Sequence, residues 1–430
     1  MWKTRLKWIA LGFILFGGGY FFWNRPHLER DDRYSDLSLE VNSAPVSLAL
    51  VSLLNADNYL EATERPLAEL LTGLSQLNPL EETGGSDHAQ HGEHEDHADH
   101  ADHADHNHQD EASHQTSMEA REGLIRAAKE LLTQHDKELA MARKAFSEEG
   151  CADDLSPRDG KTSPMNLLYA GRLLSLSLDH DRLTGFTHYA VKQIKDLIRS
   201  VQNKRYTCPH AILNFMVFTQ VEITLKQVGL RLLGTTKAPE QREELLRILR
   251  ADLNADSERG DREAFQQSVR VEFLQNKQLL QESGLLKGMK TLRPAQKTES
   301  ALNFWPFLDE EEAIEWLSEA ARAQVWILGV PAHEELPADL RVSRFKEELD
   351  TFSNPWMYNG FGAQLFKVLH MSVSALRDTH IRSNCQWRYR FKKELDRLKI
   401  EGPAIINPYT TRSFKQRRNP CQPRAPYDRL

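Results

Sequence analysis

The sequence predicts an all-α protein: one N-terminal transmembrane helix, then a multi-helix extracytoplasmic bundle or irregular helical array, with an intrinsically disordered His/Asp-rich linker near its start. Three observations lead there. Residues 8–23 are apolar and uncharged and follow Lys3, Arg5 and Lys7. From residue 117 onward, apolar side chains recur at spacings of three and four, without the sustained alternation that marks strands. Residues 81–111 hold eleven Asp and Glu and no Lys or Arg, so they cannot belong to a packed core.

The first stretch reads as a signal-anchor behind a short cytoplasmic tail, residues 1–7. Sixteen helical residues span about 24 Å, short of a hydrocarbon layer of about 30 Å. Trp8 and Trp23 suit the two interfaces, and Lys7 and Arg25 can extend toward the headgroups. A cleaved secretory signal is the alternative, since Gly17, Gly18 and Gly19 supply small residues. Either reading exports the remainder. The expected location is the bacterial inner membrane, single-pass, with the C-terminal domain in the periplasm.

Residues 24–80 form a juxtamembrane helical unit in this reading. One helix starts at Pro45, and a second carries Leu67, Leu70, Leu71 and Leu74 on one face. Two short helices make a poor core alone, so the unit is expected to pack on the main domain or on another protein.

Residues 81–116 are the polar linker. Within it His88, His91, His94, His97, His100, His103 and His106 recur at every third position, and His108 follows. A step of three does not mark one face of an α-helix, whereas it aligns along polyproline II. The tract resembles the His-rich loops of periplasmic zinc-binding proteins and zinc transporters, which implies capture of a divalent transition metal by these eight histidines. Imidazole suits Zn, Ni or Cu, and the interleaved carboxylates draw cations in. Binding by an unordered strip is weak and not structural, because part of the free energy goes into ordering the chain. Metal-dependent compaction is expected to alter the distance between the juxtamembrane unit and the main domain. In the competing account the tract is only a soluble spacer in a non-catalytic structural or assembly factor of the envelope.

Residues 117–400 form the helical domain. Expected helices cover 118–147, 164–178, 183–201, 211–233, 240–253, 261–280, 311–323 and 364–376, and a last one carries Trp387, Phe391, Leu395 and Leu398. The segment 211–233 is apolar on nearly every face, as a helix enclosed by others should be. A loop is expected at 153–163 and another at 284–300. Four cysteines without CxxC spacing argue for two disulfides after export, with Cys151–Cys208 and Cys385–Cys421 preferred among three connectivities.

Residues 401–430 read as a basic, proline-containing tail. From residue 377 to the end there are fourteen Lys and Arg against five Asp and Glu, a surface suited to anionic lipid or another polyanion. Nucleic acid is not expected outside the cytoplasm. The near-ending Asn407-Pro408-Tyr409-Thr410-Thr411 resembles the Asp-Pro-aromatic-Thr-Gly endings of some uncharacterised exported helical proteins, which implies no activity. No HExxH, GxSxG, complete phosphate loop or dinucleotide fingerprint occurs, so no enzyme activity is expected. The body is read as a protein-binding one whose envelope partner the residues do not name.

Overall fold

The computed structural model describes residues 33–56, 64–77, 107–152, 163–253, 255–292, 310–331 and 373–401, together with Ile405, Pro408 and Cys421. The predicted anchor 8–23 and His88 through His106 lie outside the described residues. Among the described residues the regular secondary structure is helical, and no helix is long and apolar enough to cross a membrane.

Eleven helices are described: α1 (Leu48–Leu54), α2 (Glu64–Gln76), α3 (Asn107–Gln134), α4 (Asp136–Ser147), α5 (Met165–Leu183), α6 (Thr187–Thr207), α7 (Ile212–Thr235), α8 (Pro239–Arg250), α9 (Ala255–Leu292), α10 (Glu310–Gly329) and α11 (Val373–Arg397). The central one is α7, which packs on α5, α6, α8, α9 and α11. Phe215, Phe218, Val221, Leu225, Val228 and Leu232 of α7 are fully buried, as its apolar circumference predicts.

The largest core joins α1, α4, α5, α6, α7, α8 and α11. A second lies where Ile212 and Phe215 of α7 meet Phe265, Val269 and Phe273 of α9 and Trp316, Leu317 and Val325 of α10. In a third, Leu67 and Leu74 of α2 pack with Ala128 and Leu131 of α3 and Leu176 of α5.

The juxtamembrane helices belong to this body. Leu50, Leu53 and Leu54 of α1 enter the largest core. The Ser47 hydroxyl caps α1 by accepting from the Leu50 N–H at 3.2 Å, and Glu148 after α4 accepts from the Ser47 hydroxyl at 2.8 Å and from the Ala49 N–H at 2.9 Å. At the start of α2, Glu64 accepts from Arg172 at 3.1 Å and Tyr169 at 3.0 Å. At its end, Arg182 of α5 donates to the Leu74 carbonyl at 3.1 Å and the Leu77 carbonyl at 3.2 Å, covering acceptors a helix terminus leaves open. The buried Asp179 carboxylate holds Arg182 through an Nε contact of 3.0 Å and also receives Arg231 of α7. The described residues of the juxtamembrane unit thus pack on the main domain, as expected of two helices too short to make a core alone.

Several boundaries also differ from expectation. Helix α3 begins at Asn107, inside the stretch expected to be disordered up to residue 116, where Gln109, Glu111, Ala112 and Gln115 are competent helix formers and Asp110 and Glu111 suit an N-terminal turn. The single helix expected over 118–147 is broken at His135, where Thr133 and Gln134 face solvent and Asp136 and Glu138 favour a fresh N-terminus. Helix α9 continues to Leu292 through the expected loop at 284–300, since only Gly284 and Gly288 oppose an otherwise helix-favouring run.

Both preferred disulfides are formed, Cys151–Cys208 and Cys385–Cys421. The first joins the end of α4 to the end of α6. The second changes the reading of the C-terminus: Ile405 and Cys421 are buried in the largest core, so residues 401–430 are not simply a solvated tail.

Candidate ligand site

Polar side chains at helical spacing converge where α6, α7, α9 and α11 meet. Gln202 and Arg205 stand three apart on α6, Glu222 and Lys226 four apart on α7, and Glu258, Asp261 and Phe265 share a stripe of α9. Arg377, His380, Asn384 and Arg388 follow the same rule on α11. Packing the apolar faces of these helices brings the polar stripes together in the interior.

The centre is Asp261. One carboxylate oxygen lies 3.0 Å from Arg205 Nη1, and the other lies 2.6 Å from His380 Nε2 and accepts from Asn384 Nδ2 at 2.8 Å. Arg205 Nε is 3.0 Å from Glu222 Oε2, and the other Glu222 oxygen accepts from Gln202 at 2.9 Å and from Lys226. The Lys226 ammonium also sits 5.6 Å from the centre of the Trp387 ring. Arg205, Glu222 and Lys226 are each no more than 3% exposed, so the chain alternates positive and negative charge almost out of solvent.

Burial opposes ionisation of Asp261, but the guanidinium of Arg205, then His380, and the hydrogen bonds of His380 and Asn384 outweigh it and hold the carboxyl far below its ordinary range. Glu222 is likewise lowered, its burial offset by Arg205 and Lys226. Burial raises the Tyr206 phenol, with Arg205 working against it. The carboxylates are therefore fixed as anions at any ordinary pH.

Beside Asp261 the packing leaves a cavity of about 50 Å³ between α9, the end of α10 and α11. His380 lines it, its ring held near Phe215 and Phe265 at centroid distances of 5.3 Å and 5.5 Å. Arg262, Arg377 and Arg388 contribute guanidinium groups to the wall, and Leu328, Val330 and Ile381 contribute apolar surface. Arg377 also donates to the Val330 and Pro331 carbonyls at 3.0 Å and 3.1 Å, beyond the end of α10. An aspartate–histidine pair in a cleft can orient an imidazole for binding or for proton transfer. Among the described wall residues there is no Ser, Thr, Cys, Tyr or Lys, and the ionisable groups other than arginine are Glu258, Asp261 and His380.

This site was not singled out in the sequence. Its signal is the Arg377, His380, Asn384, Arg388 stripe, a pattern equally usual on a solvated helix face. The predicted metal ligands lie elsewhere: His88, His91, His94, His97, His100, His103 and His106 are outside the described residues, and His108 falls in the first turn of α3. Among the described residues no group of three or more His, Cys, Asp or Glu could hold a metal ion. Arg205 beside Asp261 also makes that carboxylate a poor cation ligand.

No family model, no curated protein and no solved structure matches this chain.

Proposed function

We propose that the chain is a non-catalytic, membrane-tethered protein of the bacterial inner membrane, with its helical body in the periplasm and its His/Asp tract capturing divalent transition metal, Zn, Ni or Cu. The observation that carries this reading is the pairing of all four cysteines in two bridges between separate elements. Stable disulfides of this kind belong to oxidising compartments, and residues 8–23 supply the means of export. The body is the part that meets protein partners. Residues 401–430 and the basic end of α11 add affinity for an anionic surface.

Metal capture rests on the chemistry of His88, His91, His94, His97, His100, His103, His106 and His108. Neutral imidazole is the ligand, so affinity falls as pH drops through about 6.5. The test is Zn titration of the full chain in detergent and of a form lacking residues 87–108, at neutral pH and at about pH 5.5. The full chain should bind at neutral pH and weakly in acid, and the deletion should lose that binding. Undiminished binding by the deletion would remove the tract from the function. Loss of binding without any change in growth or metal content of cells would leave the tract as a spacer.

A further inference from the structure

We propose that the Cys151–Cys208 bridge is a redox latch on the N-terminal end of α1: reduction by a dithiol, the chemical class of thiol–disulfide oxidoreductases, loosens the joint at residues 45–50 while the helical body stays folded. Nothing in the metal-capture reading uses this bridge, and the oxidising compartment of that reading supplies only the state in which the latch is closed.

The first ground is the geometry of the joint. The turn entering α1 rests on residues 148–151: the Ser47 N–H donates to the Cys151 carbonyl at 2.8 Å, the Cys151 N–H donates to the Pro45 carbonyl at 2.7 Å, and Glu148 accepts from the Ser47 hydroxyl and the Ala49 N–H. Gly150 takes a φ of +106°, and a Cβ there would stand 2.9 Å from the Ser47 nitrogen, so the two backbones meet with no side chain between them. The end of α6 holds residues 148–151 from the other side. Cys208 is bonded to Cys151, and Lys204 donates to the Gly150 carbonyl at 2.8 Å and to the Glu148 carbonyl. With the bridge open, the hold that remains there is noncovalent.

The second ground is the contrast between the two bridges. Cys385 and Cys421 are buried in the largest core, whereas Cys151 and Cys208 lie outside the three cores. Val46, which pairs with Cys151, is 48% exposed and Leu48 is 75% exposed, so the joint runs along the surface. A thiolate therefore reaches the first bridge by local opening and the second only by opening of the core. Its attack on Cys151 Sγ forms a mixed disulfide and breaks the Cys151–Cys208 bond, and the electron pair leaves on the Cys208 sulfur. Lys204 stands one turn earlier on α6, and its ammonium already reaches the Gly150 carbonyl that lies 3.9 Å from that sulfur, where a cation favours the thiolate. The second thiol of the reductant then attacks the mixed disulfide, closing its own disulfide and releasing Cys151 as a thiol. Two electrons and two protons thus pass from the dithiol to the protein.

The test uses the full chain in detergent. Limiting dithiothreitol, followed by alkylation and peptide mapping, should label Cys151 and Cys208 while Cys385 and Cys421 stay joined. Hydrogen exchange read by mass spectrometry should then show protection at Ser47, Ala49, Leu50 and Cys151 falling about tenfold further than at Val221 and Leu225 of α7. Cys151→Ser with Cys208→Ser should show the same excess without reductant, and Cys385→Ser with Cys421→Ser, which weakens the fold elsewhere, should show none. Opening of the second bridge at the same dithiol concentration as the first overturns the proposal. So does unchanged exchange at residues 45–50, an equal loss of protection in α1 and α7, or the same excess in the variant lacking the second bridge.

Discussion

Gly171 of α5 lies directly against Val221 of α7: a Cβ at residue 171 would come within 2.8 Å of both Val221 methyl carbons. The close approach lets α5 and α7 share an apolar seam, and it leaves no room for even one added carbon. Gly171→Ala should lower stability by roughly 1–3 kcal/mol, despite the better helix propensity of alanine. Urea denaturation of the single variant and of Gly171→Ala with Val221→Ala checks this, because trimming Val221 should return part of the loss.

Removing one member of the buried charge chain should cost more than removing a surface pair. Asp261→Ala leaves Arg205 and His380 without their shared partner, and a loss of about 3–5 kcal/mol is expected. Lys392→Ala, which breaks an exposed pair with Asp396, should change stability by less than about 1 kcal/mol. Thermal melts of the two variants side by side make the comparison.

Acid should unfold the body through the same carboxylates. The Asp261 and Glu222 carboxyls are lowered in the folded protein, so the folded state binds fewer protons than the unfolded one. Their contribution is complete above about pH 5 and is lost as pH falls through about 4 and below. Stability measured from pH 7 to pH 3 should therefore decline only at the acid end. Asp261→Ala should flatten that decline.

Each disulfide should contribute through the unfolded chain. Closing separations of 57 and 36 residues removes denatured-state freedom equivalent to about 4 kcal/mol apiece. Replacing Cys151 and Cys208 together by Ser should lower the melting temperature by several degrees and leave the second bridge intact, as peptide mapping without reductant would show.

The helices that bury a whole stripe or circumference were legible in the sequence, and α7 is the clearest: Phe215, Phe218, Val221, Leu225 and Val228 are fully buried, and only Leu213, Gln220 and Gly234 along it are exposed. The cysteine pairing was legible by proximity along the chain. The cleft was not, because Asp261 and His380 are 119 positions apart and each looks like an ordinary surface residue on an amphipathic helix. Only the packing of α9 against α7 and α11 distinguishes them. Breaks and extensions such as His135 and residues 284–292 depend on small differences in local propensity, which periodicity does not register.

The contacts from Arg182 to the Leu74 and Leu77 carbonyls have a topological consequence for the histidines. Residue 77 is tied to α5, and α3 returns to the same body, where Leu124 packs on Gly73 of α2. Residues 77 and 107 thus belong to one folded unit, and successive histidines between them are separated by only three positions along the sequence. Chelation by such a strap would be an event within one molecule. Its apparent affinity should be the same in dilute and concentrated protein, and each chain should fill independently of its neighbours.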